Sequence, residues 1–120
     1  MPDSNIILAH TADLLFAARL RGTATAVGAN LVLARKSTDW FEQARLVKPR
    51  LLVLDLDTRI FDPISLITDT KADPDLSAIP LLAYVSHVRA DAIEAARAAG
   101  ADRVMARGAF VKNLNQIFAE

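Results

Sequence analysis

Lys48-Pro49-Arg50-Leu51-Leu52-Val53-Leu54-Asp55-Leu56-Asp57 is the stretch that decides the fold. Between the turn-forming Pro49 and the carboxylate of Asp55 the chain is apolar at every position from 51 to 54. A half-exposed strand alternates polar with apolar residues. A short run that is apolar on both faces belongs inside a parallel sheet covered on both sides. Residues 51–55 are therefore predicted as a central strand that carries Asp55 to its C-terminal end, the edge where open α/β sheets place their chemistry.

Working outward, similar apolar runs at 6–9, 30–34, 81–85 and 103–106 read as four further strands, each followed by a helical pattern. The first helix is expected to start near Thr11 or Ala12 and run towards Val27, with Leu14, Leu15, Ala18, Gly22 and Ala26 on one face. Gly22 inside it marks a break or a close approach. The second is capped by Ser37 or Thr38, carries a stripe of Trp40, Phe41, Ala44 and Val47, and stops before Pro49. The sole tryptophan is thus a core residue. The third opens with Asp62 as cap and Pro63 at the first helical position, buries Ile64, Leu66 and Ile67, and ends in Ala72-Asp73-Pro74-Asp75. A fourth covers 91–99 and is closed by Gly100, and a fifth covers about 110–119 with Leu114, Ile117 and Phe118 facing inward. Strands alternating with helices give a parallel sheet, and right-handed crossovers on both faces give the strand order 2-1-3-4-5.

The 120 residues suit one domain, 1–120, large enough to hold a core without staples, and the absence of cysteine removes disulfides and thiolate metal sites. The N-terminus has no basic leader and no apolar run reaches the length of a membrane span, so a soluble cytoplasmic protein is expected. Lys and Arg against Asp and Glu number 8 to 6 in residues 1–60 and 6 to 8 in residues 61–120, for a net charge of zero. Neither nucleic acid nor a membrane surface is an expected partner. Arg35, Lys36, Arg45, Lys48 and Arg50 are read as a solvated face, since no aromatics interleave with them.

Three segments together resemble the response-regulator receiver domain over essentially the whole chain: residues 48–55, the approach Ala72-Asp73-Pro74-Asp75-Leu76-Ser77-Ala78-Ile79-Pro80-Leu81-Leu82, and the turn Ala95-Ala96-Arg97-Ala98-Ala99-Gly100-Ala101-Asp102. The resemblance implies a flavodoxin-like (βα)5 three-layer sandwich of bacterial two-component signalling. It places Asp55 at the phosphoacceptor position. The paired acids that hold magnesium in that family fall on His10 and Thr11, with the backbone carbonyl near Asp57 as a remaining ligand. The switch hydroxyl falls on Val85, with Ser86 one residue on, and the lysine after strand five falls on Arg107.

Those departures carry physical weight. Moving a phosphoryl group onto a carboxylate joins two anions, so a divalent cation must bridge them, and magnesium asks for near-octahedral oxygen ligands including carboxylates. With His10 and Thr11 in place of acids no metal cofactor is expected, and Asp13 is read as the start or cap of the first helix. Arg107, with a planar fork suited to carboxylates, is expected either to pair with Asp55, filling the phosphoryl space, or to point into solvent. His10 and His87 are not expected to form a zinc or acid–base site. Asp55 and Asp57 are expected to turn their side chains apart, so no catalytic carboxylate pair is predicted. No nucleophile elbow, phosphate loop or dinucleotide fingerprint is present.

The resulting expectation is a degenerate receiver, or pseudo-receiver: a binding module, not an enzyme, that acts in signal transduction through phosphorylation-independent contact with a protein partner. The face formed by helix four, strand five and helix five is the expected surface for a partner or a second copy, though its alanines are also simply good helix formers. Two alternatives stand beside it: a phosphorylatable receiver using Asp55 with an atypical metal site, and a small-molecule sensor with a ligand among His10, Asp55, Val85 and Arg107.

Overall fold

The computed structural model describes residues 4–87 and 89–120. Among them, five parallel strands form one sheet in the order β2-β1-β3-β4-β5, with β1 Ile6–His10, β2 Asn30–Leu33, β3 Leu51–Asp55, β4 Leu81–Val85 and β5 Arg103–Ala106. The helices are α1 Leu14–Ala26, α2 Ser37–Val47, α3 Pro63–Ala72, α4 Ala90–Ala99, α5 Arg107–Lys112 and α6 Leu114–Ala119. This is the flavodoxin-like arrangement read from the sequence. No described helix is long and apolar enough to cross a membrane.

Side chains two apart on a strand share a face of the sheet, and β3 sorts cleanly. Leu51 and Val53 join α1, α5 and α6 through Phe16, Leu20, Phe110, Leu114, Ile117 and Phe118. Leu52 and Leu54 join α2, α3 and α4 through Trp40, Ala44, Leu66, Ile67 and Ala96. Each large apolar side chain taken from water contributes roughly 1.5–3 kcal/mol, so both layers are needed to hold the central strand. Trp40 is fully buried and satisfies its ring N–H by donating to Thr70 Oγ1 at 3.1 Å, while Thr70 donates to the Leu66 carbonyl at 2.7 Å.

Several expected boundaries are corrected. Strand β1 extends to His10 and β2 stops at Leu33. Helix α1 begins at Leu14, because Asp13 caps it by accepting from Phe16 N–H at 3.1 Å. Its core face is Phe16, Ala17, Leu20 and Ala24, whereas Leu14 and Leu15 are 82% and 86% exposed. The helix is apolar on two opposite sides, and the side bearing the aromatic ring is the one that packs. Gly22 neither breaks the helix nor sits against a neighbour.

Helix α2 is capped at Lys36, one residue before Ser37, with the Asp39 carboxylate accepting from Lys36 N–H at 3.2 Å. The expected cap at Asp62 holds, accepting from Ile64 and Ser65 N–H. Helix α4 starts at Ala90 and ends at Gly100, where φ is +115° and a side chain would also collide with Lys71. The expected fifth helix is two short ones that meet at Asn113, whose amide donates to the Ala109 carbonyl at 2.8 Å and so competes with the helical ladder.

Candidate functional site

At the C-terminal ends of β1, β3, β4 and β5, the side chains of Asp13, Asp55, Asp57, Tyr84, Ser86 and Arg107 line a cleft of about 250 Å³ with Ala12. Asp55 is buried at the end of β3 on the face shared with Val53. Its Oδ2 accepts from Ala12 N–H at 3.1 Å and, more weakly, from the Thr11 hydroxyl at 3.4 Å. Its Oδ1 accepts from Asp57 N–H at 2.8 Å. Both carboxylate oxygens thus tie the loop after β1 to the loop after β3.

Asp57 does not turn away from Asp55. The strand ends at Asp55, and Asp57 in the following turn lines the same cleft. Its Oδ2 accepts from Ser86 N–H at 2.6 Å and from the Ser86 hydroxyl at 2.5 Å, and Arg89 donates to Oδ1 at 3.2 Å. Desolvation opposes ionisation of Asp57, but the two Ser86 bonds, then the charge of Arg89 and the proximity of His87, outweigh it and lower its pKa. Ser86 therefore stands in the cleft. Val85 does not: it is fully buried on the other face of the sheet, among the α2, α3 and α4 contacts.

Arg107 takes neither expected course. Its guanidinium donates to Asp13 Oδ2 at 3.0 Å and lies 4.1 Å from the centre of the Phe16 ring. Asp13 is thus more than the helix cap read from the sequence. Its pKa is lowered by the Phe16 N–H bond first and the Arg107 bond second. An arginine stacked on an aromatic face and hydrogen-bonded to a carboxylate is held at both points.

His10 is buried on the opposite side from Asp55. Nδ1 donates to the Ala34 carbonyl at 2.8 Å, since a carbonyl can only accept, and Nε2 is hydrogen-bonded with the Thr58 hydroxyl at 2.7 Å. Its ring centre is 4.6 Å from that of Phe61. His87 is exposed and does not meet His10. Thr11, half-buried, accepts from Asp13 N–H at 3.2 Å while donating towards Asp55.

These donors do not fit a divalent cation. The two positions that would supply acids hold a histidine facing away and a hydroxyl, each Asp55 oxygen already accepts an N–H bond, and Asp13 and Asp57 are each paired with an arginine. Among the described residues no three His, Cys, Asp or Glu side chains gather in a metal-holding group.

Tyr84 went unnoticed in the sequence. In the β3–β4 register it sits beside Asp55, wedged between Phe16 and Phe110 at ring-centre distances of 5.1 and 5.3 Å. Its hydroxyl is buried without a properly formed hydrogen bond. Desolvation first, then the charge of Asp55, push its pKa up, with only partial relief from Thr11. The available signal was the pairing itself: a parallel neighbour of Asp55 must share its face of the sheet.

No protein-family model matches the chain, and no curated protein matches it in sequence. Solved structures do. The signal receiver domain of a DNA binding response regulator from Colwellia psychrerythraea superposes with a TM-score of 0.81 at 22% identity, over 96% of this chain and 98% of that one. The phosphorylated cyanobacterial phytochrome response regulator RcpA gives 0.81 at 18%, over 98% and 90%. The chemotaxis response regulator CheY4 of Vibrio cholerae gives 0.80 at 12%, over 97% and 99%. From end to end, the chain has the fold of a response-regulator receiver domain.

Proposed function

We propose that this chain is a pseudo-receiver, a cytoplasmic signalling module that works by binding a protein partner without being phosphorylated and without a metal cofactor. The observation that carries the reading is the state of Asp55, whose two oxygens are occupied by the N–H groups of Ala12 and Asp57. A phosphoryl group approaching that carboxylate has no cation to bridge the two anions. The two arginines at hand are engaged elsewhere, Arg107 by Asp13 and Phe16 and Arg89 by Asp57. In this reading the cleft is a set of internal ties that fixes the loops, and it is a binding module, not an enzyme.

The test is an amide NMR titration with magnesium followed by beryllofluoride, a phosphoryl mimic. The expected spectrum is unchanged at Asp55, Ser86 and Arg107. Specific shifts there that need both additions overturn the reading in favour of a phosphorylatable receiver with an atypical metal shell.

One observation favours a second reading, a small-molecule sensor. Tyr84 lines the cleft beside Asp55 and its hydroxyl is buried there without a partner, and a ligand that reached it would satisfy a costly buried group. Of the residues first assigned to such a site, His10 and Val85 lie on the other face, so the ligand would meet Asp55, Tyr84, Ser86 and Arg107 instead.

A further inference from the structure

The edge of the sheet away from the Asp55 cleft holds a second cavity. It lies at the first residues of β3, β4 and β5, measures about 390 Å³, and is lined by Leu51, Leu82 and Ile117 with Lys48, Arg50 and Arg103 around them. A volume of that size suits a small organic molecule, and apolar walls with a few charged groups are the usual form of such a site. Leu51, Leu82 and Ile117 belong to the packed layer beneath α1, α5 and α6, so the apolar walls are already in place.

Charge selects what enters. Two acids also border the cavity, and each is matched: Asp102 pairs with Lys71 at 2.7 Å and Glu120 with Arg103 at 3.0 Å. The other two cations are not. Among the described residues neither Lys48 nor Arg50 joins an ion pair. Arg50 is half-buried and donates to the Phe118 carbonyl in the last turn of α6. A carbonyl satisfies one donor of a guanidinium but not its charge. A cation drawn partly out of water without a counter-ion is costly, and the planar fork of arginine matches a carboxylate or a phosphate.

Lys48 supplies an independent observation. It closes α2 with φ at +49°, and among the described residues no other non-glycine has a positive φ. Glycine is the residue that such a helix end favours, because a Cβ is crowded there. The chain keeps a lysine instead, at the border of the cavity. The carbonyl end of α2 does not call for it, since Arg45 already stands in the last turn.

We propose that this cavity at the N-terminal edge of the sheet binds a small amphipathic anion, its carboxylate or phosphate head held by Arg50 and Lys48 and its apolar body laid against Leu51, Leu82 and Ile117. The inference goes beyond the reading of Asp55, because the cavity and the Asp55 cleft share no residue. An occupant would join the starts of three strands to α6 and stabilise the fold as it binds.

The test titrates the full chain with phenyl phosphate, benzoate, benzyl alcohol and inorganic phosphate while amide shifts are followed. One or both aromatic anions are expected to shift Ser4, Arg50, Leu82 and Arg103, and the tighter of the two names the head. It should bind roughly tenfold more tightly than benzyl alcohol, which lacks the charge, and than inorganic phosphate, which lacks the body. Arg50→Met is expected to weaken it by roughly tenfold or more. Lys48→Gly should weaken it about threefold with the melting temperature unchanged or higher, because glycine relieves the left-handed backbone. That pair of readouts separates a lost charge from a lost fold.

No binding of either anion, or equal affinity for benzyl alcohol, overturns the proposal. Inorganic phosphate bound as tightly as the aromatic anions also overturns it, by leaving an adventitious ion only. Shifts confined to Asp55, Ser86 and Arg107 overturn it by moving the anion to the other edge of the sheet, and a magnesium requirement for those shifts would sink the phosphorylation-independent reading as well.

Discussion

Two aspartates at opposite ends of the sheet do similar work with different means. Asp102, between α4 and β5, accepts from Leu81 N–H and from Lys71 Nζ at 2.8 and 2.7 Å, and Lys71 also reaches the carbonyls of Ser77 and Ile79. Asp55 accepts from Ala12 and Asp57 N–H and from Thr11, with no cation of its own. At Asp102 the charge is matched by a lysine. At Asp55 it is held by dipoles, while the arginine that could have matched it is bound to Asp13. Both carboxylates tie a loop to the sheet, Asp102 with a counter-ion and Asp55 without one.

The largest expected effect comes from breaking the matched end. Asp102→Ala leaves Lys71 short of its anion and Leu81 N–H unpaired; with Asp102 49% exposed solvent screens the ion pair, and the cost, mostly that of the N–H, is about 2 kcal/mol in urea unfolding. Next comes Asp55→Ala, about 1–2 kcal/mol, smaller because removing an anion without a counter-ion also removes its desolvation penalty. A gain in stability for Asp55→Ala would collapse the comparison and mark Asp55 as a strained, functional acid.

Acid sharpens the same contrast. At Asp102 desolvation is outweighed by the Lys71 and Leu81 bonds, so its pKa lies below the ordinary 3.8. Asp13, Asp57 and Asp62 are lowered as well. A carboxyl lowered on folding binds protons more readily when unfolded, so its stabilisation is present above the unfolded value and lost as pH falls through the folded one. Denaturation midpoints are expected to hold above about pH 5 and decline below about pH 4, and Asp102→Asn should flatten that decline. The smallest effect is Tyr84→Phe, which removes an unsatisfied hydroxyl and should raise stability by up to about 1 kcal/mol. A loss of that size would show that the hydroxyl has a partner.

The strands were legible because uninterrupted apolar runs admit few alternatives, and β3, β4 and β5 fall at the predicted bounds. The cleft was less so. Arg107 had two carboxylates within reach, and the choice of Asp13 depends on Phe16 offering a ring for the guanidinium to cover. Which side of α1 faces inward was not legible because its sequence is apolar on both sides, and only the size of Phe16 against the sheet decides between them. Asp55 and Asp57 share a cleft because β3 stops between them, which alternation along a strand does not reveal.

Trp40 gives the molecule a built-in optical reporter. It is the sole tryptophan, sealed from water on the side of the sheet facing α2 and α3, and its indole N–H is tied to Thr70. Its emission should be blue-shifted in the folded protein and move to the red on unfolding. Because the Asp55 cleft lies beyond the sheet from it, ligand titrations there should leave this fluorescence still. A change in emission during such a titration would mean that binding had disturbed the far layer of the core.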